Sequence, residues 1–284
     1  MHDDTASPDL SLETTRPLNH GGPIPLLGLG TFRSPAGEAT RDAVRWALEA
    51  GYRHLDTAAA YGNEEDVGRG LRESGVPRDE VFVTTKLWKD SHGYDETLRA
   101  FDESLRRLGL DAVDLYLIHW PDSPRRLDSW RAMERILAEG RARAIGVSNY
   151  MIRHLEEVLE HGSVVPAVNQ IELHPFNHGS RGEVLDFCQR HDIAVEGYSP
   201  LTKTRKLDEP TLVRIARARA RTPAQVLIRW ALQHGFITIP KSTHRDRIRE
   251  NAAVFDFFLS DRDMADLDGL DEDFITSWDP RKIP

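Results

Sequence analysis

Short β-rich runs alternate with helical segments along most of the chain, and this alternation restricts the possible folds more than any other feature. The extended runs are YRHLDT, VFVTTK, VDLYLIHW, RAIGVSN, AVNQIEL, IAVEGYS and FITIPKS, and we expect PLLGLGT to be the first member of the series. Several are apolar at nearly consecutive positions, as is typical of parallel strands buried on both faces. About eight strand–helix units in ~250 residues indicate the α/β class, and within it a closed (β/α)8 TIM barrel rather than an open sheet.

The segments between these runs carry the spacing and the end signals of helices. EATRDAVRWALEAG and YDETLRAFDESLRRLG repeat apolar residues at helical intervals. Thr222-Pro223 predicts a helix start before AQVLIRWALQHG, and Gly235 suits the residue after its end. Ser260 predicts another helix start in the same way.

No Pro-, Ser- or Gly-rich linker divides the chain, so we expect a single barrel domain over residues 15–284. At its start, TTRPLNHGGPIP predicts an N-terminal β-hairpin around an Asn-His-Gly-Gly turn. We expect residues 1–14 to be a flexible tail, because they are acidic and lack the features of a secretory signal. The last stretch, DEDFITSWDPRKIP, has no periodicity and predicts a short C-terminal loop that can cross one mouth of the barrel.

Composition excludes several classes of partner. The formal net charge of -9 creates a field that repels nucleic acids and anionic membranes. No apolar run approaches the ~20 residues that span a bilayer. Cys188 is the only cysteine, so no internal disulfide can form, which favours a cytoplasmic protein. No strong assembly stripe stands out, and we expect a monomer.

Polar and titratable residues gather at the ends of the predicted strands. In a (β/α)8 barrel these ends open onto one face, and that face holds the active site. Each residue alone has a purely structural explanation, but the same placement at strand after strand favours a functional site. The residues are Asp56, Lys86, His119, Asn149, Gln170, Tyr198 and Lys241.

Four residues of this face suggest proton transfer to a carbonyl oxygen. Tyr61 follows Asp56 after one short loop, and a free tyrosine, with a pKa of ~10, is a poor acid. An ammonium group that donates to the phenol oxygen lowers this pKa, and Lys86 is placed to do so. Asp56 would keep Lys86 charged and oriented, while His119 could hydrogen-bond the carbonyl. Taken separately, each has an equally good structural explanation. Tyr61 could be a packed aromatic residue, Asp56 and Lys86 a structural ion pair, and His119 a hydrogen-bonded histidine under a loop.

Seven separated motifs, in order over about residues 15–275, resemble the aldo-keto reductase superfamily, in particular its bacterial, 2,5-diketogluconate-reductase-like members. The motifs are GYRHLDTAAAYGNE, TTKLW, LYLIHWP, IGVSN, NQIELHP, GYSPL and IPKSTHRDRIREN. The resemblance implies reduction of aldehydes or ketones to alcohols by hydride transfer from NADPH. It makes Tyr61 the proton donor and completes the catalytic set with Asp56, Lys86 and His119.

The resemblance also implies that a nicotinamide cofactor lies extended over the barrel mouth without a Rossmann domain, and no G-x-G-x-x-G stands where a strand enters a helix. Lys241, Ser242 and Arg247 suit a 2′-phosphate, which predicts NADPH with weaker use of NADH. Arg245 and Arg249 can be explained as charged residues on a solvent-exposed helix face, without a role in cofactor binding. The implied cofactor-binding residues are Thr31, Asp56, Ser148, Asn149, Gln170, Tyr198, Ser199, Leu201, Lys241, Ser242, Arg247, Glu250 and Asn251.

Aromatic residues are expected to wall the substrate pocket around His119, as is usual for small-molecule sites. Trp130 and Trp230 lie inside helical patterns and are expected in the core instead. The expected pocket residues are Phe32, Trp88, Trp120 and Trp278.

Two other functions compete with carbonyl reduction. The first is a regulatory or sensor protein that binds the cofactor on the same barrel, against which the intact catalytic set counts. The second is a metal-dependent hydrolase that uses His119, His174 and His178. The spacing of these histidines matches no strong metal signature and H-E-x-x-H is absent, so we expect no catalytic metal.

Overall fold

The structure is a computed structural model that describes residues 10–284, and its central feature is a sheet of eight parallel strands. A separate antiparallel hairpin precedes the sheet and consists of β1 (Thr15–Arg16) and β2 (Ile24–Pro25). The strands of the sheet are β3 (Leu29–Gly30), β4 (His54–Asp56), β5 (Phe82–Leu87), β6 (Val113–Ile118), β7 (Ala142–Ser148), β8 (Val168–Glu172), β9 (Ala194–Tyr198) and β10 (Ile237–Thr238).

Each strand of the sheet pairs with the next one in sequence, from β3 to β10. The two ends of the sheet then meet. Leu27 bridges Thr238 in parallel, and the Gly28 amide donates to the Thr238 carbonyl at 2.9 Å. The predicted (β/α)8 barrel is therefore confirmed.

Helices connect the strands on the outside of the barrel. They are α1 (Glu38–Glu49), α2 (Glu64–Ser74), α3 (Tyr94–Leu108), α4 (Arg126–Ala138), α5 (Ile152–His161), α6 (Gly182–Arg190), α7 (Pro210–Ala218), α8 (Pro223–Gln233), α9 (Arg245–Ala252) and α10 (Asp261–Asp268). The predicted end signals hold for α8 and α10. The Thr222 hydroxyl accepts from the Gln225 amide, Gly235 has φ +74°, and Ser260 caps α10 through the Asp263 amide.

The predicted hairpin lies at the end of the barrel where the strands begin. Gly21 and Gly22 form its turn with φ of +85° and +88°. The Asn19 amide donates to the carbonyls of Pro166 and Asp192, which precede β8 and β9. Of the predicted tail 1–14, residues 1–9 lie outside the described residues, whereas Leu10 and Leu12 pack against the core.

The core lies both inside the barrel and between the strands and helices. Trp130 and Trp230 are fully buried in it, as predicted. Within residues 10–284, no helix is both long enough and apolar enough to cross a membrane.

Close packing of α2 on α3 depends on a missing side chain. A Cβ atom on Gly68 would overlap the Leu108 carbonyl oxygen. We expect Gly68→Ala to destabilise the protein by about 1–3 kcal/mol through this overlap, although alanine is the better helix former by about 1 kcal/mol. Gly182→Ala is the matched control, because a Cβ there meets no atom within 4 Å. Urea unfolding measures both, and equal stability of the two variants would contradict the packing argument.

Candidate active site

A cavity of about 1010 Å³ opens at the end of the barrel where the strands finish. The parallel register brings strand ends from distant parts of the sequence to this one mouth. Most of the residues predicted for the site line the cavity: Phe32, Asp56, Tyr61, Trp88, His119, Trp120, Ser148, Asn149, Gln170, Tyr198, Ser199, Leu201, Lys241 and Trp278.

Lys86 lies beneath the cavity floor with its ammonium group fully buried. Its Nζ donates to both carboxylate oxygens of Asp56, at 2.7 and 2.6 Å, and to the Thr57 carbonyl at 2.8 Å. These three acceptors satisfy the three hydrogens of the ammonium group. Paired in this way, the charge can remain on a side chain that burial alone would neutralise.

Tyr61 lines the cavity, as Asp56 does, and its hydroxyl lies beside this cluster. Lys86 Nζ lies 3.4 Å from it, at the long end of a hydrogen bond. Burial raises the pKa of Tyr61 well above its usual range, and the negative charges of Asp56 and Glu196 add to this. The predicted lowering of this pKa is therefore wrong for this arrangement, because burial of the phenol is the dominant effect and Asp56 and Glu196 act in the same direction.

His119 packs between two aromatic rings of the site. Its ring centroid lies 5.5 Å from that of Tyr61 and 5.2 Å from that of Trp88, with both pairs edge to face. Burial lowers the pKa of His119 well below its usual range, and the charge of Lys86 acts in the same direction. The imidazole is thus neutral at pH 7 and offers one donor and one acceptor nitrogen.

Glu196 is a buried carboxyl group of the floor that sequence reasoning missed. The Gln170 side-chain amide donates to Glu196 at 2.7 Å and to Asp56 at 2.9 Å. Burial raises the pKa of Glu196 to about 8, and the nearby charge of Asp56 contributes. The carboxyl group is therefore protonated at neutral pH. The sequence does contain a signal for Glu196, because it is a charged residue inside the apolar run IAVEGY. It lies two positions before Tyr198 and hence on the same face of the strand.

His54 packs against this buried acid from β4. Its Nε2 lies 3.5 Å from Glu196 Oε1, and burial lowers its pKa to about 3. His54 is therefore neutral at pH 7.

Three of the expected cofactor-binding residues, Ser148, Asn149 and Tyr198, are joined by hydrogen bonds at the cavity wall. Asn149 Nδ2 donates to the Ser148 hydroxyl at 3.0 Å and to the His119 carbonyl at 2.9 Å. The Tyr198 hydroxyl donates to Asn149 Oδ1 at 2.8 Å. Asn149 has φ +63°, a left-handed conformation that asparagine tolerates better than most residues.

The loop after β9 lines the cavity in an unusual backbone conformation. Ser199, Thr202, Lys203 and Thr204 all have φ between +51° and +66°. Such strain in non-glycine residues persists where the surrounding structure imposes it, and it is common at binding sites. Lys203 and Arg33 add two cationic groups to the lining that the sequence analysis did not select.

Five of the predicted cofactor residues do not line the cavity. Thr31 is buried and its hydroxyl donates to the Asp56 carbonyl at 2.9 Å. Glu250 accepts from the Thr222 hydroxyl at 2.7 Å. Ser242 and Asn251 are buried beside α9, and Arg247 is exposed on that helix. Lys241 does line the cavity, and Arg247 is the exposed member of the remaining set.

The C-terminal segment places Trp278 over the aromatic side of the cavity. Its ring centroid lies 5.4 Å from that of Trp120 and 6.5 Å from that of Trp88. The Glu172 carboxylate holds the segment by accepting from the amides of Thr276 at 2.8 Å and Ser277 at 3.1 Å. The loop that was predicted to cross the mouth thus supplies a wall of the cavity.

The histidines of the competing hydrolase hypothesis do not form a metal centre. Among residues 10–284, the one set of three or more metal-binding side chains with ligand atoms within 4.8 Å of one another contains neither His119 nor His174. His174 instead packs against the Phe176 ring and lies 3.5 Å from Glu172.

Residues 26–272 match the aldo/keto reductase family. A 9,11-endoperoxide prostaglandin H2 reductase of Trypanosoma cruzi (strain CL Brener) is 48% identical over 93% of this chain and 93% of the relative. A glyoxal reductase of Bacillus subtilis (strain 168) is 47% identical over 96% of this chain and 98% of the relative. The crystal structure of MGS-M4, an aldo-keto reductase enzyme from a Medee basin deep-sea metagenome library, superimposes with a TM-score of 0.90 at 40% identity, covering 95% of this chain and all of that one.

The raised pKa of Glu196 predicts a specific pH dependence of stability. The unfolded chain releases this proton near pH ~4.3, whereas the folded protein keeps it until pH about 8. The contribution of Glu196 is therefore fully present below pH ~4.3 and is lost as the pH rises through about 8. Glutamine does not titrate, so we expect Glu196→Gln to remove this pH-dependent loss of stability. The Tm of the variant minus that of the wild type should therefore increase between pH 5 and pH 8.

Thermal unfolding across this pH range measures the effect. Glu38→Gln, at a side chain that is 86% exposed, is the matched control and should leave the wild-type profile unchanged. Parallel Tm profiles of Glu196→Gln and the wild type would show that Glu196 is already ionised in the folded protein.

Proposed function

The chain belongs to the aldo/keto reductase family and is an oxidoreductase that acts on carbonyl groups, and on this premise we propose that it reduces aldehydes and ketones to alcohols with NADPH as the hydride donor. Tyr61 is the proton donor in this proposal. The observation that carries it is that Tyr61 lines the cavity and that its hydroxyl lies 3.4 Å from a buried ammonium group.

A dihydronicotinamide held by Ser148, Asn149 and Gln170 beside Tyr198 would supply a hydride to the carbonyl carbon. Tyr61 gives its hydroxyl proton to the carbonyl oxygen, so that the O–H bond of the phenol breaks as that of the alcohol forms. The phenolate left behind is stabilised by Lys86 Nζ, and solvent returns the proton. The raised pKa of Tyr61 supports this proton transfer, because the phenol still holds its proton at neutral pH before the reaction begins.

His119 is proposed to orient the carbonyl group. A neutral imidazole can donate one hydrogen bond to the carbonyl oxygen without competing for the proton of Tyr61. Its edge-on packing against Trp88 restricts the rotation of the ring. The substrate would then lie between His119 and the aromatic wall formed by Trp88, Trp120 and Trp278.

The donor set of the cavity fits a nicotinamide. Both N–H groups of the Gln170 amide are used by Asp56 and Glu196, so its carbonyl oxygen is left to accept from a carboxamide. Asn149 and Ser148 supply further polar atoms at the same wall, and the half-buried ring of Tyr198 offers a face for stacking.

The preference for NADPH is proposed from Lys241 and Arg247, whose charges suit a 2′-phosphate beside α9. The other cofactor contacts that the family resemblance implies also remain proposals: Thr31, Ser242, Glu250 and Asn251. A cytoplasmic location and a monomeric state remain predictions from the sequence.

Replacing the proposed acid tests the mechanism. We expect Tyr61→Phe to lower kcat by about 10²–10⁴-fold, because the proton donor is lost while the ring that packs on Phe32 stays. NADPH oxidation with a nitrobenzaldehyde is the assay, and Tyr94→Phe, at an exposed tyrosine, is the matched control. Wild-type rates in Tyr61→Phe would eliminate the acid assignment, and absence of turnover in the wild type would favour the sensor alternative.

Removal of the proposed phosphate contacts tests the cofactor preference. We expect Lys241→Ala and Arg247→Ala each to raise KM for NADPH about tenfold or more and to leave KM for NADH nearly unchanged, because a charge-assisted hydrogen bond contributes about 1.5–3 kcal/mol. Steady-state kinetics with both cofactors measures this, with Arg249→Ala as the control on the same helix. Comparable wild-type efficiency with NADPH and NADH would refute the preference.

A further inference from the structure

Three metal-binding side chains converge on the outer surface of the barrel, apart from the residues that line the cavity. His178 lies in the loop after β8, His234 directly follows α8, and Asp268 is the last residue of α10. Their ligand atoms all lie within 4.8 Å of one another. His234 Nε2 is 2.9 Å from Asp268 Oδ1, and His178 Nδ1 is 3.4 Å from the same oxygen.

The two nitrogen-to-oxygen separations are close to the edges of a tetrahedral zinc site. Zinc binds imidazole nitrogen at ~2.0–2.1 Å and carboxylate oxygen at ~2.0–2.2 Å, so two ligand atoms of a tetrahedron lie ~3.3–3.5 Å apart. The nitrogen-to-oxygen distances of 2.9 and 3.4 Å require shifts of only a few tenths of an ångström to enclose an ion.

Neighbouring groups hold the three side chains in place. The Trp230 indole donates to Asp268 Oδ1 at 2.7 Å and so fixes the carboxylate. The His178 ring meets the Trp230 ring edge on at 5.2 Å, and the His234 ring stacks on Phe236 at 5.4 Å. Support of this kind around metal ligands orients them and strengthens binding.

The crowding at one oxygen also favours a cation. Three nitrogens approach Asp268 Oδ1, whereas a carboxylate oxygen has two lone pairs. The indole N–H can only donate and takes one of them. A metal ion on the second lone pair would satisfy both imidazoles at once, each through its own nitrogen lone pair.

The site is open to solvent but partly shielded. The side chains of His178, His234 and Asp268 are 22%, 23% and 33% exposed. An ion can therefore enter the site from solvent.

We propose that His178, His234 and Asp268 form a structural Zn²⁺ site, with a water molecule as the fourth ligand. The ion ties together the loop after β8 and the ends of α8 and α10. Because the segment that carries Trp278 starts where α10 ends, the ion also anchors the base of that segment. This site differs from the hydrolase centre considered from the sequence, with which it shares only His178.

Zinc titration of the full-length chain without a polyhistidine tag tests the proposal. We expect calorimetry to show saturable binding of one Zn²⁺ per chain, and we expect saturation to raise Tm by about 2–4 °C, because the ion binds the folded state. Mg²⁺ should produce neither effect, since it prefers oxygen ligands. Co²⁺, added in place of Zn²⁺, should give the visible absorption of a tetrahedral site.

Variants locate the ion. His178→Gln and Asp268→Asn should each abolish the saturable binding and the Tm shift, whereas His161→Ala, at an exposed histidine beside Glu160, should retain both. Circular dichroism confirms that each variant is folded. Three results would each overturn the proposal: no saturable Zn²⁺ binding in the wild type, no tetrahedral Co²⁺ spectrum, or undiminished binding in either folded variant. If a variant fails to fold, the wild-type results alone decide.

Discussion

The buried ammonium group of Lys86 is the interaction on which the cavity floor depends. An unpaired charge at this depth would cost several kcal/mol, so the fold must deliver its acceptors together. Asp56 comes from the neighbouring strand and the Thr57 carbonyl from the residue that follows it, while the loop beyond brings the Tyr61 hydroxyl to 3.4 Å from the same ammonium group. The register between β4 and β5 therefore fixes the position of the phenol relative to the ammonium group.

Two carboxyl groups, Asp56 and Glu196, lie near the ammonium group of Lys86, and Asp56 is the one that contacts it. Burial and the nearby Asp56 raise the pKa of Glu196, which is joined to Asp56 through the Gln170 amide. The network spans four strands of the barrel, β4, β5, β8 and β9. A change at Glu196 is therefore felt at Gln170, which faces the cavity.

Much of the fold and part of the site were predictable because the signals are local. The alternation of strands and helices, the Thr222 and Ser260 caps and the Gly21–Gly22 turn each depend on a few adjacent residues. The barrel rule then places strand ends on one face, which is why Asp56 and Tyr198 could be assigned to one cavity before any coordinates. The family match rests on motifs of the same local kind.

The strand–helix order, the residues at the strand ends and the family can be read from local patterns in the chain. The direction of the Tyr61 pKa shift, the link of Glu196 to Asp56, and the hydrogen bonds from the Trp278 segment to Glu172 follow from the folded structure. The physical reason is that burial and electrostatic fields depend on groups that are close in space but distant in the chain. His178, His234 and Asp268 show this most plainly, since no spacing in the sequence joins them and only packing brings them within 4.8 Å.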